Sequence, residues 1–78
     1  MARSREAILR DMLYVATEKV NKTTLMYRAG LSYPQLVEHL NYLIERQMII
    51  KSDELYVTSE KGRAFIHAYQ KMQEIITK

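Results

Sequence analysis

Nucleophilic or metal-assisted chemistry needs particular side chains in a supporting context, and this chain offers few of them. His39 and His67 stand far apart with no ligand spacing, and there is no Cys to supply a thiolate or a soft metal ligand. Ser52, Asp53 and His67 have the side chains of a hydrolytic triad, but no strand–turn–helix elbow surrounds any Ser. Gly30 and Gly62 are isolated, so no Gly-rich phosphate loop exists. A non-enzyme is expected, with no cofactor, no metal and no small-molecule ligand. Recognition chemistry, by contrast, does form a pattern. Ser32, Tyr33, Gln35, Glu38 and Asn41 lie close together. Gln and Asn can each pair bidentately with adenine, Glu can accept from cytosine, and Tyr can meet a phosphate. Lys22, Thr23, Thr24, Arg28 and Lys51 supply cations and hydroxyls suited to flanking phosphates, with Arg3 and Arg5 as further cations. Without a nucleic-acid partner the same residues would make an ordinary solvated surface.

Helices must position most of these groups. Apolar residues at Ile8, Leu9, Met12, Leu13, Val15, Ala16 and Val20 recur at helical spacing and predict a first helix from the Ser4 cap to about Lys19. A shorter helix is predicted from Lys22 or Thr23 to Ala29, capped by Asn21 or Thr23, with Leu25, Met26 and Ala29 inward. Gly30 ends it in a left-handed conformation. Ser32 opens a third helix, with Gln35 completing a capping box and Pro34 tolerated in the first turn. Its expected buried stripe is Leu36, Leu40, Leu43, Ile44 and Gln47. At 100° per residue the opposite face holds Pro34, Glu38, Asn41 and Glu45, flanked by Gln35 and Tyr42.

The period then changes. Met48 to Ile50 and Leu55 to Thr58 read as β-rich segments around a polar turn, a small hairpin. Thr58 or Ser59 caps a final helix expected over residues 59–77. Along it Phe65, Tyr69, Met72 and Ile76 repeat at four, three and four residues, with Ala68 and Ile75 widening the seam, the pattern of an inter-helix contact. A two-fold homodimer through this helix is expected. Tyr14, Tyr27, Tyr56 and Tyr69 fall in amphipathic elements and are expected to border the core, and His39 to lie on a helix flank.

Composition bounds the possibilities. A chain of 78 residues has room for one small domain, 1–78, with a modest core that oligomerisation would supplement. Twelve Lys and Arg against nine Asp and Glu give a formal charge of +3, which suits a polyanion without demanding one. No apolar run is long enough to cross a bilayer, and Met-Ala-Arg-Ser-Arg-Glu at the start lacks the stretch of a signal peptide, so no membrane partner and a cytoplasmic location are expected.

Three helices followed by a two-stranded hairpin is the order of a winged helix-turn-helix, α+β and mainly α. The phrases Lys22-Thr23-Thr24-Leu25-Met26-Tyr27, Leu31-Ser32-Tyr33 and Thr58-Ser59-Glu60-Lys61-Gly62 are similar to those of the small archaeal winged-helix proteins of about ten kilodaltons. That resemblance, running from about Ile8 to Met72, implies a dimeric double-stranded DNA-binding protein, a transcriptional regulator or nucleoid-associated component. Its third helix would enter the major groove and its wing would touch the backbone. The rival expectation is a winged helix that binds a partner protein without direct DNA contact, with Glu38, Glu45, Asp53 and Glu54 facing solvent or a basic surface.

Overall fold

The computed structural model describes residues 3–77, so Met1, Ala2 and Lys78 of the expected domain lie outside the described residues. Four helices and a three-stranded antiparallel sheet follow in the order α1 (Arg5–Ala16), β1 (Val20–Asn21), α2 (Lys22–Ala29), α3 (Tyr33–Glu45), β2 (Ile49–Ser52), β3 (Leu55–Thr58) and α4 (Glu60–Thr77). This is the winged helix-turn-helix arrangement expected from the sequence, with one strand added.

Local chemistry sets the boundaries. The Ser4 side chain accepts from the Ala7 amide at 3.1 Å and starts α1. That helix ends at Ala16, short of the expected Lys19, because Lys19 adopts a left-handed φ of 58° and turns the chain into β1. Asn21, rather than Thr23, caps α2, its side chain accepting from the Thr24 amide at 2.8 Å. Gly30 takes φ 67°, and the Leu31 amide reaches back to the Met26 carbonyl at 3.0 Å, which closes α2 and buries Leu31. Ser32 and Gln35 form the expected capping box at the start of α3.

The end of α3 departs from expectation. Gln47 is exposed and has φ 62°, while the Met48 amide bonds the Leu43 carbonyl at 2.9 Å. Gln47 is therefore the left-handed residue that stops the helix, and it does not continue the buried stripe. Met48 precedes the strand.

In the sheet, of order β1-β3-β2, Val20 pairs with Tyr56, and Ile49 through Ser52 pair with Thr58 through Leu55. Asp53 and Glu54 form the wing tip, where Asp53 supplies a φ of 57°. The strand β1 was not expected: two residues are too few to show alternation, and Val20 reads as a continuation of the α1 stripe.

Met12, Leu13, Leu25, Leu36, Leu43 and Ile49 fill the centre of the core. Each such side chain contributes about 1.5–3 kcal/mol by leaving water. Tyr56 is buried as expected and Tyr69 half-buried, but Tyr14 and Tyr27 are 65% and 78% exposed and do not border the core. Each is turned about 100° or more off its helix's apolar stripe. His39, expected on a flank, is buried with Leu36, Leu40 and Leu43.

The first turn of α4 is tightly seated. Ser59 starts it, accepting from the Gly62 amide at 3.2 Å. A Cβ at Gly62 would lie 2.5 Å from the Met48 carbonyl oxygen and 2.6 Å from Thr58 Cγ2. Gly62→Ala is therefore expected to cost about 1–3 kcal/mol, as overpacking does. For a domain of this size that lowers the midpoint of thermal unfolding by roughly 4–8 °C per kcal/mol. An unchanged midpoint in a calorimetric scan would show that α4 is not held in this way.

Candidate nucleic-acid interface

The face of α3 turned away from the core carries Pro34, Glu38, Asn41 and Glu45, all exposed, flanked by the exposed Gln35 and the half-buried Tyr42, while Tyr33 is exposed at the first position of the helix. Burial of Leu36, Leu40 and Leu43 on the other side fixes that orientation. Ser32, Tyr33 and Gln35 at the start of the helix and Glu38 and Asn41 further along are thus all open to solvent.

Gln35 already has a structural partner. Its Oε1 accepts from the Ser32 amide at 3.0 Å, and Ser32 Oγ accepts from the Gln35 amide at 3.4 Å. Donating to a base edge remains open to its NH2 group, but its acceptor is engaged while the cap is closed.

The phosphate candidates divide into two places. Lys22, Thr23 and Lys51 line one cleft of about 390 Å³ between the start of α2 and the wing, together with Asn21, Glu54 and Tyr56. Two cations from distant parts of the sequence meet there, and Glu54 offsets part of their charge. Thr24 is half-buried, and its amide serves the Asn21 cap, so that N–H is already taken. Arg28 lies elsewhere. Its Nη1 meets Glu18 Oε1, in the turn between α1 and β1, at 3.2 Å in a cleft with Tyr14, Val15 and Thr17. This exposed ion pair is weak enough to open if a phosphate competes.

Of the two N-terminal arginines, Arg3 pairs with Asp11 at 2.7 Å and donates to the Gly30 carbonyl at 3.0 Å, which ties the chain start to the end of α2. Arg5 instead lies over the Tyr42 ring, 4.3 Å from its centroid, and Arg46 lies 4.7 Å from the same centroid. The Tyr42–Arg46 spacing is legible along a helix, but nothing in the sequence brings Arg5 to it.

The residues of the expected dimer seam differ in burial. Phe65 packs partly against the core, Tyr69 is half-buried with Arg10 5.0 Å from its ring centroid, and Ala68 is exposed. Phe65, Ala68, Tyr69 and Met72 line an apolar groove of about 170 Å³ with Glu6. Beyond it Ile75 and Ile76 are 75% and 66% exposed. Ile66, absent from the expected seam, is the α4 side chain buried in the core.

Among the described residues no group of three or more His, Asp or Glu is placed to hold a metal ion, and no helix is long and apolar enough to cross a membrane.

A helix-turn-helix with an exposed polar second helix and an adjoining β-wing defines the winged-helix class. The chain belongs to the winged helix-turn-helix family, whose model matches residues 2–77. An uncharacterized protein of Methanocaldococcus jannaschii is 26% identical over 62 residues, which make up 80% of this chain and 29% of the length of that relative. The chain is also similar to the crystal structure of Sso10a-2, a DNA-binding protein from Sulfolobus solfataricus. The TM-score is 0.83 at 23% identity, over 96% of this chain and 83% of that one. Both of these proteins are archaeal, in keeping with the resemblance seen in the sequence.

The capping geometry generates a direct expectation. Gln35→Ala removes one half of the capping box and should cost roughly 1 kcal/mol of stability, seen as a lower unfolding midpoint. An unaltered midpoint would mean that the Gln35 side chain does not hold the cap in solution.

Proposed function

We propose that the chain binds double-stranded DNA, as a transcriptional regulator or nucleoid-associated protein, and acts by binding rather than by catalysis. The observation that carries this reading is the exposed polar face of α3, opened by its capping box, in a fold that also brings Lys22 of α2 and Lys51 of the wing to one cleft. On this reading α3 enters the major groove, with Glu38 and Asn41 facing base edges, while Tyr33 and Ser32 stand at its entrance. Gln35 joins them only through its free NH2 group. Lys22, Thr23 and Lys51 meet phosphates on the wing side. Thr24 contributes its hydroxyl, and Arg28 joins after release from Glu18. The DNA-binding activity named for Sso10a-2, whose fold this chain shares, supports the reading. A cytoplasmic, nucleoid-associated location goes with it.

The functional unit we propose is a homodimer of one domain each, spanning residues 1–78. A helix of 18 residues is roughly 27 Å long, and Gln70 onward is exposed along α4. Met72, Ile75 and Ile76 then need a cover that a second copy supplies, with Phe65, Ala68 and Tyr69 forming the inner end of the seam.

The acidic groups Glu38, Glu45, Asp53 and Glu54 give the rival, protein-binding reading its one support: all four are exposed on α3 and at the wing tip. Salt separates the two. Fluorescence anisotropy with a generic duplex should give saturable binding whose log affinity falls with log salt at a slope of about −5 or steeper, as six or more phosphate contacts per dimer require. Absence of binding at low salt, or a flat salt response, overturns DNA binding through phosphates.

Assembly is tested independently. Sedimentation should show a dimer at tens of micromolar (~10 µM and above) for the unmodified chain and a monomer for Met72→Lys combined with Ile76→Lys, since each Lys places a charge in an apolar seam. A monomeric unmodified protein contradicts the proposed assembly.

A further inference from the structure

The ring of Tyr42 holds two guanidinium groups that no pairing within the fold explains. Arg5 opens α1 and Arg46 caps the end of α3, and their Cζ atoms lie 4.3 and 4.7 Å from one ring centroid. Both charges are within 5 Å of one point, so they are closer together than about 10 Å, one Debye length near 0.1 M salt. Arg3, Arg10 and Arg28 each meet a carboxylate, whereas among the described residues no carboxylate pairs with Arg5 or Arg46. The face of an aromatic ring attracts each cation, and the α3 C-terminus favours Arg46, but neither neutralises the pair.

What would complete the arrangement is an anion. A guanidinium stacked on a ring keeps its N–H edges free, and that edge matches two phosphate oxygens at once. Location narrows the anion further. Tyr42 lies on the flank of α3, next to the exposed face that carries Glu38 and Asn41. A helix with its side chains is about 10–12 Å across and fills a major groove about 12 Å wide, so groups on its flank come beside the phosphates that line the groove. These arginines share no residue with the Lys22–Lys51 cleft. They would supply the cations that the acidic α3 face lacks.

We propose that Arg5 and Arg46 form a second phosphate-binding site for the DNA backbone, with Tyr42 as the positioning residue that holds both guanidinium groups ready. The site rests on the DNA-binding reading above and adds to it a set of contacts at the junction of α1 with the C-terminal half of α3.

The test is a set of anisotropy titrations of the full chain on one generic duplex over a series of salt concentrations, with thermal melting to verify folding. Arg5→Gln combined with Arg46→Gln should make the log–log salt slope shallower by about 1.8 per bound protomer, and should weaken affinity about tenfold or more near 0.1 M salt. The charge-matched Lys61→Gln with Lys71→Gln on α4 should leave the slope as it is. Tyr42→Phe keeps the ring and should bind like the unmodified chain, whereas Tyr42→Leu keeps both charges but should lose several-fold in affinity. If the arginine variant is folded and its slope equals that of the unmodified chain, the site is wrong while DNA binding stands. If the unmodified chain does not bind the duplex, the DNA-binding reading fails and the site falls with it.

Discussion

One buried junction sets the position of everything else. The Thr58 hydroxyl, at the end of β3, donates to the Leu13 carbonyl inside α1, in a part of the core where an unpartnered polar group would cost about 1–3 kcal/mol. One residue later the Ser59 amide bonds the Met48 carbonyl at 2.9 Å, and the Ser59 hydroxyl donates to the Gln47 carbonyl at 2.6 Å. Gly62 then passes the same segment with no room for a side chain. Within a few residues the exit of α3, the return strand of the wing, the middle of α1 and the start of α4 are locked together. The helix α3 and the wing thereby have a fixed relation, which any surface composed of both requires. Because the groups bonded there are backbone carbonyls, the junction depends on chain geometry more than on the identity of the helix residues that supply them.

Charge is used sparingly around that frame. The sequence is only modestly basic, and the exposed face of α3 carries Glu38 and Glu45, with Asp53 and Glu54 at the wing tip. On the proposed reading, cations are gathered in a few places beside the helix, while the helix itself presents amide and carboxylate groups. Acidic groups near a backbone-binding surface penalise indiscriminate contact with any polyanion, which favours discrimination over raw affinity. An all-basic face would gain affinity on every duplex alike.

The legible parts of the fold were those written in local chemistry. Ser4, Ser32 with Gln35, and Gly30 each signal a helix end through one side chain or one backbone conformation, and each acts where its type predicts. Two-residue β1 gives no periodicity to read, and its partners on β3, Tyr56 and Leu55, lie far along the chain. Gln47 matched the buried stripe by spacing, yet it took the left-handed position that ends α3, a role usually signalled by Gly or Asn. Aromatic residues in an amphipathic helix suggest a core border, whereas the fold leaves Tyr14 and Tyr27 outside it. In the candidate site the polar face of α3 followed from helical angle alone. The meeting of Lys22 with Lys51, the diversion of Arg28 to Glu18 and the stacking of Arg5 on Tyr42 are tertiary facts that only the assembled fold reveals.

On the proposed reading DNA meets this protein through α3 and the elements beside it, and amide chemical-shift mapping shows where the duplex sits. Spectra of the 15N-labelled chain titrated with a generic duplex at low salt should show saturable changes concentrated on α3 from Tyr33 to Arg46, at the start of α2 around Lys22 and Thr23, and at Lys51 on the wing, with further changes at Arg5 and Arg28. The exposed end of α4 should stay unperturbed at constant oligomeric state. Changes centred on α4 or on the outer side of α1 around Tyr14, with α3 silent, would contradict the account.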